Sequence, residues 1–192
     1  MAARTILAVS DVVDDRLWAT AGGLGAELVV SCGDLPNDYL EDLAVVTNAP
    51  LVWVPGNHDG VRPPRGAVNV DGRVETVLGV RFGGLGGCMR YRPGPNQYTE
   101  RQMARRARRL VHRAVDRLDV FVAHAPPAGL GDDASDTAHR GFAAFYDVLE
   151  RCRPALMLHG HVQVYGPRPA ARQWGATAVV NVLPQRMLEV AA

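Results

Sequence analysis

Five apolar runs in this chain each stop at a short polar motif, and that repetition restricts the fold more than any other feature. The runs TILAVS, ELVVSC and LVWV lie near the N-terminus, and DVFVA and ALML in the second half. Each has the length and unbroken hydrophobicity of a strand buried on both faces. The motifs at their ends are Ser10-Asp11-Val12-Val13, Gly33-Asp34, Gly56-Asn57-His58-Asp59, His124-Ala125-Pro126 and Gly160-His161-Val162-Gln163. Side chains on several strand ends can converge on one point, which a single local motif cannot do.

Between the runs the pattern is helical. A short helix is expected from about Asp15, and another over Asp38–Asn48, started by Pro36-Asn37 and stopped before Pro50. Thr99–Leu118 places Met103, Ala107, Leu110, Ala114 and Leu118 on one face of a long helix, and a further helix is expected from His139 to Cys152. Ala67–Leu85 reads instead as two or three short strands with a turn at Asp71-Gly72, and the tail (Ala176–Val182, Met187–Val190) as β. Strand–helix alternation at both ends with antiparallel pairs between predicts an α/β fold of two packed mixed sheets flanked by helices. Without linkers, repeats or low-complexity tracts, residues 1–192 read as a single domain.

Composition excludes more than it assigns. A formal net charge of +1 gives no global attraction to nucleic acid or membrane. No apolar stretch approaches the roughly 20 residues that span a bilayer, and Met1-Ala2-Ala3-Arg4 leads straight into a strand with no signal-peptide core. A cytoplasmic protein with no membrane partner is the expectation. Cys32, Cys88 and Cys152 form no CxxC pair, so a disulfide framework or zinc knuckle is not indicated.

The motif residues are those of a divalent-metal site that cleaves phosphoesters. Two cations roughly 3.5–4 Å apart can clamp the attacking and leaving oxygens at phosphorus, provided one carboxylate bridges them. Asp34, after a glycine that permits a sharp turn, suits the bridge; Asn57, His124 and His161 complete the shell of one ion. An amide oxygen with two imidazoles favours manganese, iron or zinc over calcium or magnesium, with manganese the first choice.

The order D…GD…GNHD…H…GH resembles the calcineurin-like metallophosphoesterase superfamily, over nearly the whole chain. The stretches SCGDLPNDYLE, VPGNHDG, RYRPGPNQYTE, VAHAPP and HRGF resemble its small bacterial stand-alone members that lack a cap domain. The resemblance implies a four-layer αββα sandwich, Asp11 as a further metal ligand, and His58 as proton donor to the leaving group with Asp59 orienting its ring. It also exposes a departure. The superfamily's first motif is D-x-H and its last G-H-x-H, but Val13 and Gln163 occupy the two histidine positions. Both histidines serve one ion in the family, so that ion keeps Asp11, the shared Asp34 and the weak neutral ligand Gln163. One firmly held ion and one weak position are therefore expected; Asp14 or Asp15 offers only a poorly phased replacement.

The expected activity is hydrolysis of a phosphomonoester or phosphodiester by metal-bound hydroxide, at reduced rate. The rival expectation is a catalytically weak or inactive binding module on the same fold. For the phosphorylated substrate, Arg90 and Arg92 after GGLGG are candidate phosphate ligands, and His139 of HRG a candidate at the rim. Arg101, Arg105, Arg106, Arg108, Arg109, Arg113 and Arg117 mark an arginine-rich helix, mostly opposite its apolar stripe and without interleaved aromatics. Nucleic acid is thus a possible partner but not the favoured one.

Overall fold

Alternation of buried side chains along single strands sorts the chain into layers. In β1 (Ala3–Val9), Ile6 and Ala8 face a second sheet while Leu7 and Val9 face helices. Side chains two apart share a face, so an all-apolar strand supplies two cores at once. In the computed structural model, which describes residues 3–115, 117–163 and 171–191, the same logic runs through both sheets.

The N-terminal half alternates strand and helix: α1 (Asp15–Thr20), β2 (Leu28–Ser31), α2 (Asn37–Thr47), β3 (Leu51–Trp53) and the short β4 (Val68–Asn69). These strands pair in parallel in the order β1-β2-β3-β4. Then β5 (Val74–Val77) and β6 (Val80–Leu85) form a hairpin, followed by the small parallel pair β7 (Cys88–Met89) and β8 (Gln97–Tyr98). The hairpin turn is Leu78-Gly79, both at positive φ; Asp71-Gly72 instead separates β4 from β5. The remainder is α3 (Glu100–Ala114), β9 (Val120–Ala123), α4 (Phe145–Cys152), β10 (Leu156–His159), β11 (Arg172–Trp174), β12 (Thr177–Asn181) and β13 (Gln185–Ala191). The second sheet runs β11-β12-β10-β9-β6-β5, and β13 closes the first antiparallel to β1. Two mixed sheets flanked by helices are what the sequence pattern predicts.

Three buried clusters fill the spaces between layers. Ile6, Val30, Val52, Phe82, Val122 and Leu158 lie between the sheets. Leu17, Leu40 and Leu43 seat α1 and α2 on the outer face of the first. Met103, Leu110, Phe145 and Leu149 seat α3 and α4 on the second.

Both long helices are shorter than their periodicity predicts. Val115 takes a left-handed conformation and ends α3. α4 starts at Phe145, not His139, because residues before it are pinned as loop: Phe142 N donates to Pro126 O at 3.1 Å and Gly141 N to Asp132 at 3.0 Å. The Glu100 carboxylate then accepts from Ala143 N (3.2 Å) and Ala144 N (2.7 Å), capping α4 from the first turn of α3.

Candidate metal centre

The parallel strands β1, β2, β3, β9 and β10 end on one edge of the sandwich, and each polar motif occupies the turn that follows. Ligands of open parallel sheets gather at carboxyl ends for this reason. Three of the motif residues, Asp11 (φ 63°), Asp34 (φ 58°) and His161 (φ 67°), sit in left-handed backbone. Glycines allow such turns to meet. At Gly33 (φ 96°) a side chain would drive into the Gly56 backbone, and at Gly160 into Ser10 and the Asp11 carboxylate. Asp11 Oδ2 accepts from the His161 amide at 2.8 Å, so a turn of the first sheet is bonded to a turn of the second.

One ligand atom each from Asp11, Asp34, His124 and His161 lies within 4.8 Å of the others. His124 is fully buried; its Nδ1 donates to the Cys32 carbonyl at 2.8 Å. Its Nε2 lies 3.0 Å from Asn57 Oδ1 and 3.2 Å from Asp34 Oδ2. His161 Nε2 donates to the Ala138 carbonyl at 2.7 Å, leaving Nδ1 with its lone pair. Each imidazole is thus held by a backbone carbonyl, the arrangement that fixes tautomer and ring orientation in metal-ligating histidines.

The electrostatics of the cluster are strongly coupled. Burial opposes a proton on His124, but the hydrogen bond to Asp34 and the charges of Asp11 and Asp34 prevail and raise it to about 9. Burial likewise pushes Asp34 up, and His124, with the His58 amide, more than offsets that and brings it below the ordinary carboxylate value. His161 is driven down to about 3 by burial and the neighbouring His124 charge. Two carboxylates, two imidazoles and an amide oxygen match the donor set of a borderline divalent ion, so the residues fit the metal that the sequence implies.

Residues 4–165 match the calcineurin-like phosphoesterase family. The chain belongs to that family. No curated protein matches it. Among solved structures it is similar to TT1561 of Thermus thermophilus, with TM-score 0.66 and 19% identity over 94% of this chain and 89% of that one. A hypothetical protein from the same organism gives TM-score 0.53 and 15% identity over 93% and 75%. GAP50, described as the anchor in the inner membrane complex of Plasmodium, gives 0.52 and 11% over 94% and 71%. At these identities the likeness is one of fold.

The other site candidates fall at different places. His58 is exposed, and its amide donates to Asp34 Oδ1 at 2.7 Å. Asp59 differs from its expected role: its Oδ2 accepts from the amides of Asp34 (2.8 Å) and Gly56 (2.7 Å), so it buckles the turns after β2 and β3 together rather than aligning the His58 ring. Val13 and Gln163 are both exposed at the rim. Asp14 does not replace the lost histidine, since its Oδ1 caps α1 through the amides of Arg16 and Leu17.

His139 does reach the site. Its ring lies 5.0 Å from that of His161, and its Nδ1 pairs with Asp136 at 2.6 Å. Arg90 is occupied by Gln97 O (3.3 Å) and Gln102 (3.2 Å), whereas Arg92 rests over the Tyr91 ring, 5.2 Å away. Both arginines line a cavity of about 510 Å3. GGLGG is a packing device: Gly83 lies against Leu118, Gly84 against Val54 and Val70, Gly86 against Pro55. Arg106 belongs to the same structure, bridging Asp71 and the Gly86 carbonyl over Tyr98. Burial raises the Cys32 thiol, and raises that of Cys88 to about 12, so neither is poised for attack.

Asn96 escaped the sequence reading. Its Nδ2 donates to Gly56 O (2.9 Å) and Asp59 O (3.3 Å), bracing the Asn57-His58 turn from the loop before β8. Asn in a Pro-Gly-Pro-Asn turn was the available signal. The Ala138 and Cys32 carbonyls left none, because backbone groups have no residue signature.

Proposed function

We propose that this protein is a metal-dependent phosphoesterase that holds one divalent ion firmly and a second weakly. The observation that carries the reading is the convergence of Asp11, Asp34, His124 and His161 within 4.8 Å, with Asn57 Oδ1 against His124. A divalent cation there, manganese by preference, supplies Lewis acidity and acidifies water. Asn57, His124, His161 and Asp34 hold the firm ion; Asp11, Asp34 and Gln163 are what the weaker position retains. His58 donates a proton to the departing alcohol, general acid catalysis by an imidazole exposed at the site. Arg92 and His139 receive phosphate oxygens at the rim, and Arg90 fixes the loop that presents Arg92. Residues 1–192 act as one domain in the cytoplasm.

The test is metal analysis of the purified protein together with turnover of bis-p-nitrophenyl phosphate and p-nitrophenyl phosphate under added Mn²⁺, Fe²⁺ or Zn²⁺. Hydrolysis of either ester that is lost on chelation supports the enzyme. Absence of turnover with every metal overturns it and leaves a binding module, the alternative that Val13 and Gln163 favour.

A further inference from the structure

The loops that carry Asp11 and Asp34 continue into a second cavity, of about 360 Å3, that the metal ligands do not use. Val13 and Trp18 line it from one side, Pro36 and Tyr39 from the other. Trp18 is 50% exposed and Val13 42% exposed, large apolar surfaces that the three cores leave uncovered. Asp15, Asp38 and Asp42 also stand on its wall, with no basic residue among those lining it. None of the three carboxylates is in an ion pair among the described residues.

We propose that this cavity receives a methylated ammonium group carried on the alcohol side of the substrate. The proposal rests on the phosphoesterase reading for the substrate's other half. Three uncompensated carboxylates set the sign of the occupant's charge. An indole and a phenol beside them set its kind, because aromatic faces attract a soft, weakly hydrated cation that also presents methyl groups. A neutral apolar group would gain nothing from the three exposed carboxylates. The placement also gives Val13 a purpose. Where the family carries an imidazole ligand, this chain has an apolar wall, so the cavity opens two residues beyond Asp11 and two beyond Asp34. A phosphoester with its phosphate at the metal cluster and its ammonium against Trp18 joins opposite charges to the opposite ends of one site.

The test separates binding from chemistry. The metal-loaded protein is titrated calorimetrically with choline and with 3,3-dimethylbutan-1-ol, its neutral isostere. Choline should bind more tightly by tenfold or more, and added salt should weaken it. Trp18→Leu should weaken choline roughly two- to thirtyfold, and Asp15→Asn with Asp42→Asn should narrow the gap between the two ligands. In turnover, the ratio of kcat/KM for p-nitrophenylphosphocholine over bis-p-nitrophenyl phosphate should fall in the same variants. Equal affinity for the two isosteres, or no choline binding, overturns the proposal even if phosphoesters are hydrolysed. Selective choline binding without hydrolysis of any ester leaves the cavity assigned and removes the phosphoesterase reading instead.

Discussion

Replacing Asp59 with alanine separates two accounts of the Gly56-Asn57-His58-Asp59 turn. If the carboxylate aligned the His58 ring, its loss would slow turnover and leave the fold alone. The observed contacts predict otherwise. Two amides, of buried Gly56 and of Asp34, end on Asp59 Oδ2, while Asp34 Oδ1 accepts from the His58 amide in return. Hydrogen bonds to a charged acceptor are worth about 1.5–3 kcal/mol each. The two share one oxygen and the site is partly open to water, so about 2–4 kcal/mol is the expected loss of stability. Against a typical total of about 5–15 kcal/mol that is a large fraction. Asp59→Asn keeps an oxygen acceptor and should cost about 1 kcal/mol.

Urea unfolding at pH 7 reads the stability directly, with an unchanged slope showing that the unfolded state is not the cause. Because Asp59 also sets the position of Asp34, metal affinity should fall by about 10- to 100-fold in the alanine variant. An Asp59→Ala protein within about 0.5 kcal/mol of wild type, the range of ordinary surface changes, would refute the buckle. Unaltered metal binding in the same protein would do so independently.

His58→Ala should slow hydrolysis of esters with poor leaving groups by about 10²–10⁴-fold while metal content stays unchanged, and loss of metal would place His58 among the ligands. Metal analysis after mild chelation should find nearer one ion than two per chain; two ions retained would contradict a weak second position. Gln163→His should lower the Mn²⁺ concentration for half-maximal rate about tenfold, and Val13→His in that background should lower it further; identical half-saturation in all three proteins would show that position 163 serves no metal. In the metal-free protein, burial of His159 holds it down near a pKa of about 4, against about 6.5 unfolded. The unfolded chain then binds the extra proton in between, so this residue's contribution is complete above pH 6.5 and declines by about 3 kcal/mol as pH falls to 4. Urea midpoints of wild type and His159→Gln over that range should diverge, and parallel curves would disprove the assignment.

The sheets, and the residues that converge at their strand ends, were legible in the sequence because both rest on side-chain identity. A run such as ELVVSC can only be buried on two faces, and a Gly-Asp or Gly-His at its end can only occupy a turn. Helix limits were less legible: the start of α4 is decided by Glu100, 43 and 44 residues away in sequence from the amides it caps. The role of Asp59 was hidden for a similar reason. Adjacent to His58 in sequence, it invites a local reading, yet one of its partners is the Asp34 amide, 25 residues away in the turn after the neighbouring strand. Asp14 shows the converse. Its position beside Val13 suggested a replacement ligand, and its local helix-capping bonds prevailed.

The departures at Val13 and Gln163 can be weighed against what the chain has kept. Left-handed backbone at a non-glycine residue costs on the order of 1 kcal/mol, and Asp11, Asp34 and His161 all adopt it. Burying His124 beside two carboxylates adds desolvation that only a cation or a shared proton relieves. Relaxing these features would stabilise a fold whose site had no occupant, and it would take few substitutions: an apolar residue for His124 removes the need for Asp34 and Asn57 together. The losses instead fall at two exposed positions, where substitution costs the fold little, while the strained and buried groups persist. That division favours a site still used to bind an ion over one drifting toward a scaffold. Val13, one of those two positions, lines the same cavity as Trp18.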